Sequence, residues 1–150
     1  MKKLIILIVS IIILGLAYWL ISPFFIDKKV SEANPFQSAP VQVIPMSSGQ
    51  FEGFDRIHYG SGTVVLFDSG ENYIIRFEDD FNVANGPDLY VGLGKNGEYI
   101  KGSEIANLKG NIGSQNYSIP KDVFKDSNEI WIWCRAFSVG FAKARLSPSI

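Results

Sequence analysis

Few residues in this chain are suited to chemistry, and they occur singly. Cys134 is the one cysteine and His58 the one histidine among 150 residues. A thiol acts as a nucleophile or redox group through its thiolate, which a neighbouring positive charge favours; Arg135 beside it, or His58 from another strand, could supply that charge. Cys134 is therefore the candidate redox thiol. Its competing role is that of a small buried hydrophobe, the usual state of an unpaired cysteine. Single copies also exclude a good deal. A blue-copper site takes two histidines and a cysteine, a structural zinc site takes four Cys or His ligands, and covalent haem takes C-x-x-C-H. None can be assembled from this one chain, so no metal ligands are assigned and the cofactor is unknown. Glu78, Asp79, Asp80 and Asp88 lack EF-hand spacing and read as solvated loop carboxylates. No serine stands in a nucleophile elbow and no second conventional base is present, so hydrolysis is not supported and no enzyme class is assigned.

The element that must position the thiol is Glu129-Ile130-Trp131-Ile132-Trp133-Cys134-Arg135-Ala136-Phe137, a β-branched and aromatic run that reads as an interior strand. Alternation places Ile130, Ile132, Cys134 and Ala136 on one face and Trp131, Trp133, Arg135 and Phe137 on the other. The small aliphatic side reads as core. If the aromatic face is open, Trp133 and Arg135 are binding candidates, with His58 as a third; if a second sheet covers it, as sandwich architecture favours, the aromatics are core. His58 precedes a Gly60-Ser61-Gly62 turn, so it also suits the capping of a strand end. The segment after the break at Ser138 alternates again, with Phe141, Lys143 and Arg145 opposing Ala142, Ala144 and Leu146, and predicts a hairpin with the first.

Upstream, short strands are predicted at residues 51–58, 62–67, 73–78, 89–93, 104–108 and 117–119, punctuated by Gly, Asn and Asp. No long helical period appears among them. The pattern predicts an all-β domain over residues 51–150, an antiparallel β-sandwich. The chain carries 14 basic and 15 acidic residues. Setting aside Lys2, Lys3, Lys28, Lys29 and Asp27 leaves ten against fourteen, a balance that disfavours nucleic acid and anionic lipid as partners.

Residues 4–21 are apolar apart from Ser10 and Gly15, and as a helix they would be about 27 Å long, close to the hydrocarbon thickness of a bilayer. Lys2 and Lys3 precede the run, Tyr18 and Trp19 sit where an aromatic belt would lie, and Pro23 suits a helix end. No small-residue cleavage site follows promptly, so residues 1–26 read as a retained single-pass transmembrane signal anchor in the cell membrane, with the C-terminal domain extracytoplasmic. Residues 27–50, with Pro35, Pro40 and Pro45, read as an extended linker that could reach about 60 Å. Residues 41–44 are compatible with an edge strand within it.

Four landmarks stand in order: His58-Tyr59-Gly60-Ser61-Gly62-Thr63; Gly86-Pro87-Asp88-Leu89-Tyr90-Val91; Leu108-Lys109-Gly110-Asn111 with Gly113-Ser114-Gln115-Asn116-Tyr117 and Ile119-Pro120; and Ile132-Trp133-Cys134-Arg135 with Phe137-Ser138-Val139-Gly140-Phe141. In order and spacing, over residues 51–146, they resemble the DM13 domain family. The resemblance implies a β-sandwich module of membrane-attached and extracytoplasmic proteins, with a proposed redox-active cysteine that falls here on Cys134. In animals such modules occur beside DOMON and cytochrome b561-type haem domains, neither of which this chain contains. The expected function is thus electron transfer or thiol redox chemistry with a redox or envelope protein partner. The alternative is a non-catalytic binding domain in which Cys134 only packs.

Overall fold

The computed structural model describes residues 2–22, 25–37 and 43–149. Pro23, and Val41 and Gln42 of the expected edge strand, lie outside the described residues. The apolar run forms α1 (Lys2–Ile21). Its 20 residues rise about 30 Å, and it is a helix long and apolar enough to cross a membrane.

The strands follow as β1 (Pro45–Gly53), β2 (Gly60–Ser61), β3 (Thr63–Ser69), β4 (Asn72–Phe77), β5 (Asn82–Val83), β6 (Leu89–Lys95) and β7 (Glu98–Tyr99). They continue with β8 (Ala106–Asn107), β9 (Gln115–Pro120), the single turn α2 (Lys121–Phe124), β10 (Glu129–Cys134), β11 (Val139–Arg145) and β12 (Ser147–Pro148). One antiparallel sheet runs in the order β7-β6-β10-β11-β1-β3-β4-β9, with β8 beside β6 and β12 beside β1. The all-β expectation holds, and its two layers are halves of this one curled sheet, a half-barrel. The curl passes through β1, whose first part pairs with β3 from Pro45 to Gln50 and whose last part pairs with β11 from Phe51 to Gly53.

Alternation sends Val64, Leu66, Ile75 and Phe77 inward from one half and Val91, Leu93, Ile130 and Ile132 inward from the other, into one core. Phe51 sits where β1 changes partners. Its ring packs edge-on against Phe77 and Phe81, at centroid distances of 4.9 and 5.1 Å.

Two boundaries differ from expectation. The strand expected at residues 51–58 starts earlier and ends at Gly53, because Asp55 competes for the backbone that follows. Its Oδ1 accepts the N–H groups of Ile57 and His58, both at 2.7 Å, and folds residues 54–58 into a loop closed by the Phe54 N–H to His58 C=O bond. The strand expected to reach Phe137 stops at Cys134. The Ser138 N–H returns to the Arg135 carbonyl at 3.3 Å and Ser138 adopts a φ of +52°, so Ala136 and Phe137 lie in the hairpin turn rather than on the faces assigned to them.

Residues 28–32, part of the segment read as linker, lie in extended form along residues 112–114. Val30 donates to the Ile112 carbonyl at 2.9 Å and Glu32 to that of Ser114 at 3.0 Å. Glycines make the room, since a Cβ on Gly110 or Gly113 would collide with the carbonyl oxygen of Lys28 or Val30. The Glu32 carboxylate accepts from Lys109 Nζ at 2.7 Å and from the Asn116 N–H at 2.7 Å. Partial desolvation pushes its pKa up, but these bonds outweigh it and hold the group below its ordinary value. Arg76 and Ser114 both donate to the Glu32 backbone carbonyl. This strap joins the α1 side of the chain to the domain.

Candidate functional site

Cys134 is the last residue of β10, and its register partners are Leu89 on β6 and Val139 on β11. Its inward direction comes from the same alternation that buries Ile130 and Ile132, and its exposure is 0%. No hydrogen bond to the sulfur occurs among the described residues, and the thiol is free. It lies within the core cluster, and two loops meet at the strand end beyond it. Arg135, in the turn after β10, holds Asp88 of the loop before β6 both through its own N–H and through Nε to Oδ2 at 3.1 Å. The guanidinium also lies over the Tyr90 ring at 4.5 Å. The Asp88 carboxylate raises the pKa of Arg135 further. Arg135 therefore faces away from the sulfur, as strand alternation requires.

Trp133 lies on the outer face, stacked on Tyr99 with ring centroids 4.1 Å apart and planes 4° from parallel. Tyr99, Glu104, Trp133, Arg135 and Ser138 line a shallow hollow of about 460 Å³. Among the described residues no second sheet covers this face. Trp131, at 5% exposure, is covered instead by Phe54 at 5.2 Å, Tyr99 at 5.8 Å and Lys143, whose Nζ stands 5.9 Å from the indole. Backbone without side chains allows this. A Cβ on Gly92 would strike Tyr99, one on Gly94 would strike Trp131, and one on Gly140 would strike Phe54 and Trp131. The buried Glu129 carboxylate completes the floor by accepting from Trp131 Nε1 at 3.0 Å and from the Gly97 N–H at 2.8 Å. Burial, reinforced by Glu104, raises the Tyr99 pKa far above its ordinary value. Its hydroxyl is shielded and without a hydrogen-bond partner among the described residues. Tyr99 thus stays a neutral phenol.

His58 belongs to neither group. Its Nδ1 meets Asp55 Oδ2 at 2.8 Å, and its ring packs edge-on against Phe141 at 4.8 Å. The hydrogen bond from the His58 side chain, aided by backbone N–H groups, lowers the Asp55 pKa from 3.8 to about 2. Because the folded value lies below the unfolded one, this stabilisation is present above pH 3.8 and is lost as pH falls through about 2. An NMR titration of the Asp55 carboxyl carbon is expected to place the midpoint near 2, and His58→Ala to return it toward 3.8.

The four residues singled out in the sequence therefore occupy three places: a sealed thiol, an outer hollow holding Trp133 and Arg135, and a local His–Asp loop. Among the described residues no group of three His, Cys, Asp or Glu side chains is arranged to hold a metal. The carboxylates of the acidic segment are separately engaged, Glu78 by Arg76, Asp80 by Thr63 and Asp88 by Arg135. Sequence reasoning missed Tyr99, and Glu129, which the strand pattern reads as a solvated end of the aromatic face, is buried at 3% exposure. The available signal was Val91-Gly92-Leu93-Gly94, whose glycines alternate in register with Trp131 and Glu129.

No curated protein and no solved structure matches the chain. A family model described as "Electron transfer DM13" matches residues 50–146. That match takes in the sealed thiol, the Asp88–Arg135 clamp and the Trp-x-Trp strand, and with more than half of its length so covered the chain belongs to the DM13 family.

Proposed function

We propose that this protein is a membrane-tethered electron-transfer module in which α1 anchors the domain on the outer side of the cell membrane and Cys134 is a gated thiol. The observation that carries the reading is the position of the cysteine: in a domain of an electron-transfer family, its one thiol stands on the last residue of β10, adjacent in sequence to Arg135 of the two-loop clamp. Opening the Asp88–Arg135 clamp exposes a strand end and leaves the core in place. The chemistry is then thiol–disulfide exchange with a partner. The Cys134 thiolate attacks a partner disulfide, one new S–S bond forms, and the partner's second sulfur leaves as a thiolate. The required co-reactant is a disulfide of an envelope redox protein.

A second reading, a binding module whose cysteine only packs, is favoured by the 0% exposure of Cys134 and the absence, among the described residues, of a polar partner at its sulfur. Reaction of the folded protein with dithiobis(nitrobenzoate) at neutral pH, followed by thionitrobenzoate release, separates the two. The expected rate is well below that of a free thiol, and Asp88→Ala accelerates it roughly tenfold while the domain stays folded. Equal, unfolding-limited rates in both proteins would exclude the gate and leave the packing role.

A further inference from the structure

We propose that the end of the sheet at which Cys134 lies rests on the bilayer surface, with the apolar loop tips at Ile57 and Phe137 entering the lipid interface. This rests on α1 being a retained membrane anchor. Five residues separate Ile21, the last of α1, from Asp27. Six such steps span at most about 20 Å. Asp27 Oδ1 accepts from Asn85 Nδ2 and from Asn111 Nδ2, each at 2.8 Å, and the Lys28 N–H donates to Asn111 Oδ1 at 2.6 Å. The anchor is thereby tied to one particular end of the sheet instead of to a free linker.

Asn85 lies in the loop before β6, and the first residue of β6, Leu89, pairs with Cys134. The β10–β11 turn is at this end, held to that loop by Arg135 and Asp88. So is the loop after β1, because the Tyr59 carbonyl accepts the Ala84 N–H at 2.9 Å and His58 packs on Phe141. These two loops present Ile57 at 75% exposure, Phe137 at 63%, Tyr59 at 46% and Phe54 at 44%, and the exposed Ile26 of the tether lines a hollow with Asn85 and Asp88 of the loop before β6. Water is a poor partner for tips of this kind, and a headgroup–acyl boundary is a good one. Lys28, Lys29, Arg56 and Arg135 are exposed at the same end. Of their acidic neighbours, Asp27, Asp55 and Asp88 are taken up in hydrogen bonds, and Glu104 stands beside Arg135 in the outer hollow. Aromatic rings with basic side chains are the composition of an interfacial contact. The opposite end carries exposed charges, Glu71, Asp122, Lys125 and Asp126, alongside Val123. A partner reaching the thiol would then approach in or along the membrane plane.

The test uses the full chain in phosphatidylcholine–phosphatidylglycerol vesicles, nitroxide-labelled singly at Ile57→Cys, Phe137→Cys, Val123→Cys or Ile12→Cys. The background is Cys134→Ala, or the native chain labelled while folded should that variant not fold. Power saturation is expected to give oxygen-to-nickel accessibility ratios at positions 57 and 137 roughly threefold above that at 123, the depth of an interfacial insertion. Ratios at 57 and 137 equal to that at 123, with position 12 in lipid, would overturn the docking and spare the anchor. A water-exposed position 12 would overturn the anchor, and the docking with it.

Discussion

Replacing Gln115 by leucine is expected to remove about 4 kcal/mol of stability, at 1–3 kcal/mol for each buried group left unpartnered. Gln115 has 0% exposure and makes four hydrogen bonds. Its Oε1 accepts from the Gly110 N–H at 3.1 Å and the Tyr117 hydroxyl at 2.7 Å, and its Nε2 donates to the carbonyls of Gly110 and Gly113 at 2.8 and 3.2 Å. Leucine fills comparable space and satisfies none of these groups, so the loss comes from polar atoms that neither protein nor water can reach. Gly110 and Gly113 are also the glycines against which the strap lies, so the same change should speed amide exchange at Val30 and Glu32. Urea unfolding with an unchanged m-value measures the stability loss. A loss below about 1 kcal/mol would show that the loop re-pairs its own backbone.

The second large effect is expected on the outer face. Gly94→Ala should cost about 3 kcal/mol, the upper end of what overpacking usually costs. The added Cβ would overlap the Trp131 indole nitrogen and lie 2.9 Å from the Glu98 carbonyl, a backbone atom that cannot swing aside. Trp131 must then leave Glu129 Oε2, and a carboxylate that is 3% exposed loses one of its two partners. Gly70→Ala is the control. It has open space but a φ of +79°, so it should cost only about 1–2 kcal/mol of backbone strain. Near-UV circular dichroism should report loss of the Trp133–Tyr99 stack in the first variant alone. An unchanged spectrum and stability in Gly94→Ala would contradict the packing described for this face.

How far these features could be read from the residues depends on the range of the interaction behind each one. The inward direction of Cys134 was legible because it follows from a two-residue period shared with Ile130 and Ile132, and nothing distant can change which face a residue occupies within a regular strand. The β10–β11 hairpin was legible for the same reason. The end of β10 was not, because the turn that ends it, closed by the Ser138 N–H on the Arg135 carbonyl with Ser138 at a φ of +52°, leaves no mark on the alternation of the residues before it. The His58–Asp55 pair lies between these cases. Its spacing is local and an aspartate three residues ahead of a histidine is readable as a turn, but the apolar content of residues 51–58 outweighed it in a strand reading.

By itself, the sequence determined an all-β domain with one apolar helix ahead of it, and a lone thiol on the core side of an aromatic strand. These follow from periodicity and composition, which act through near neighbours along the chain. Only the tertiary structure decided that the sandwich is one sheet curled through β1, that the aromatic face is covered by Tyr99 and Phe54, and that residues 28–32 are docked along residues 112–114. Each of these depends on side chains or carbonyls meeting across dozens of residues, where glycines leave the space and buried polar groups demand partners. The pairing energies are distributed over both partners, so neither segment carries the signal alone.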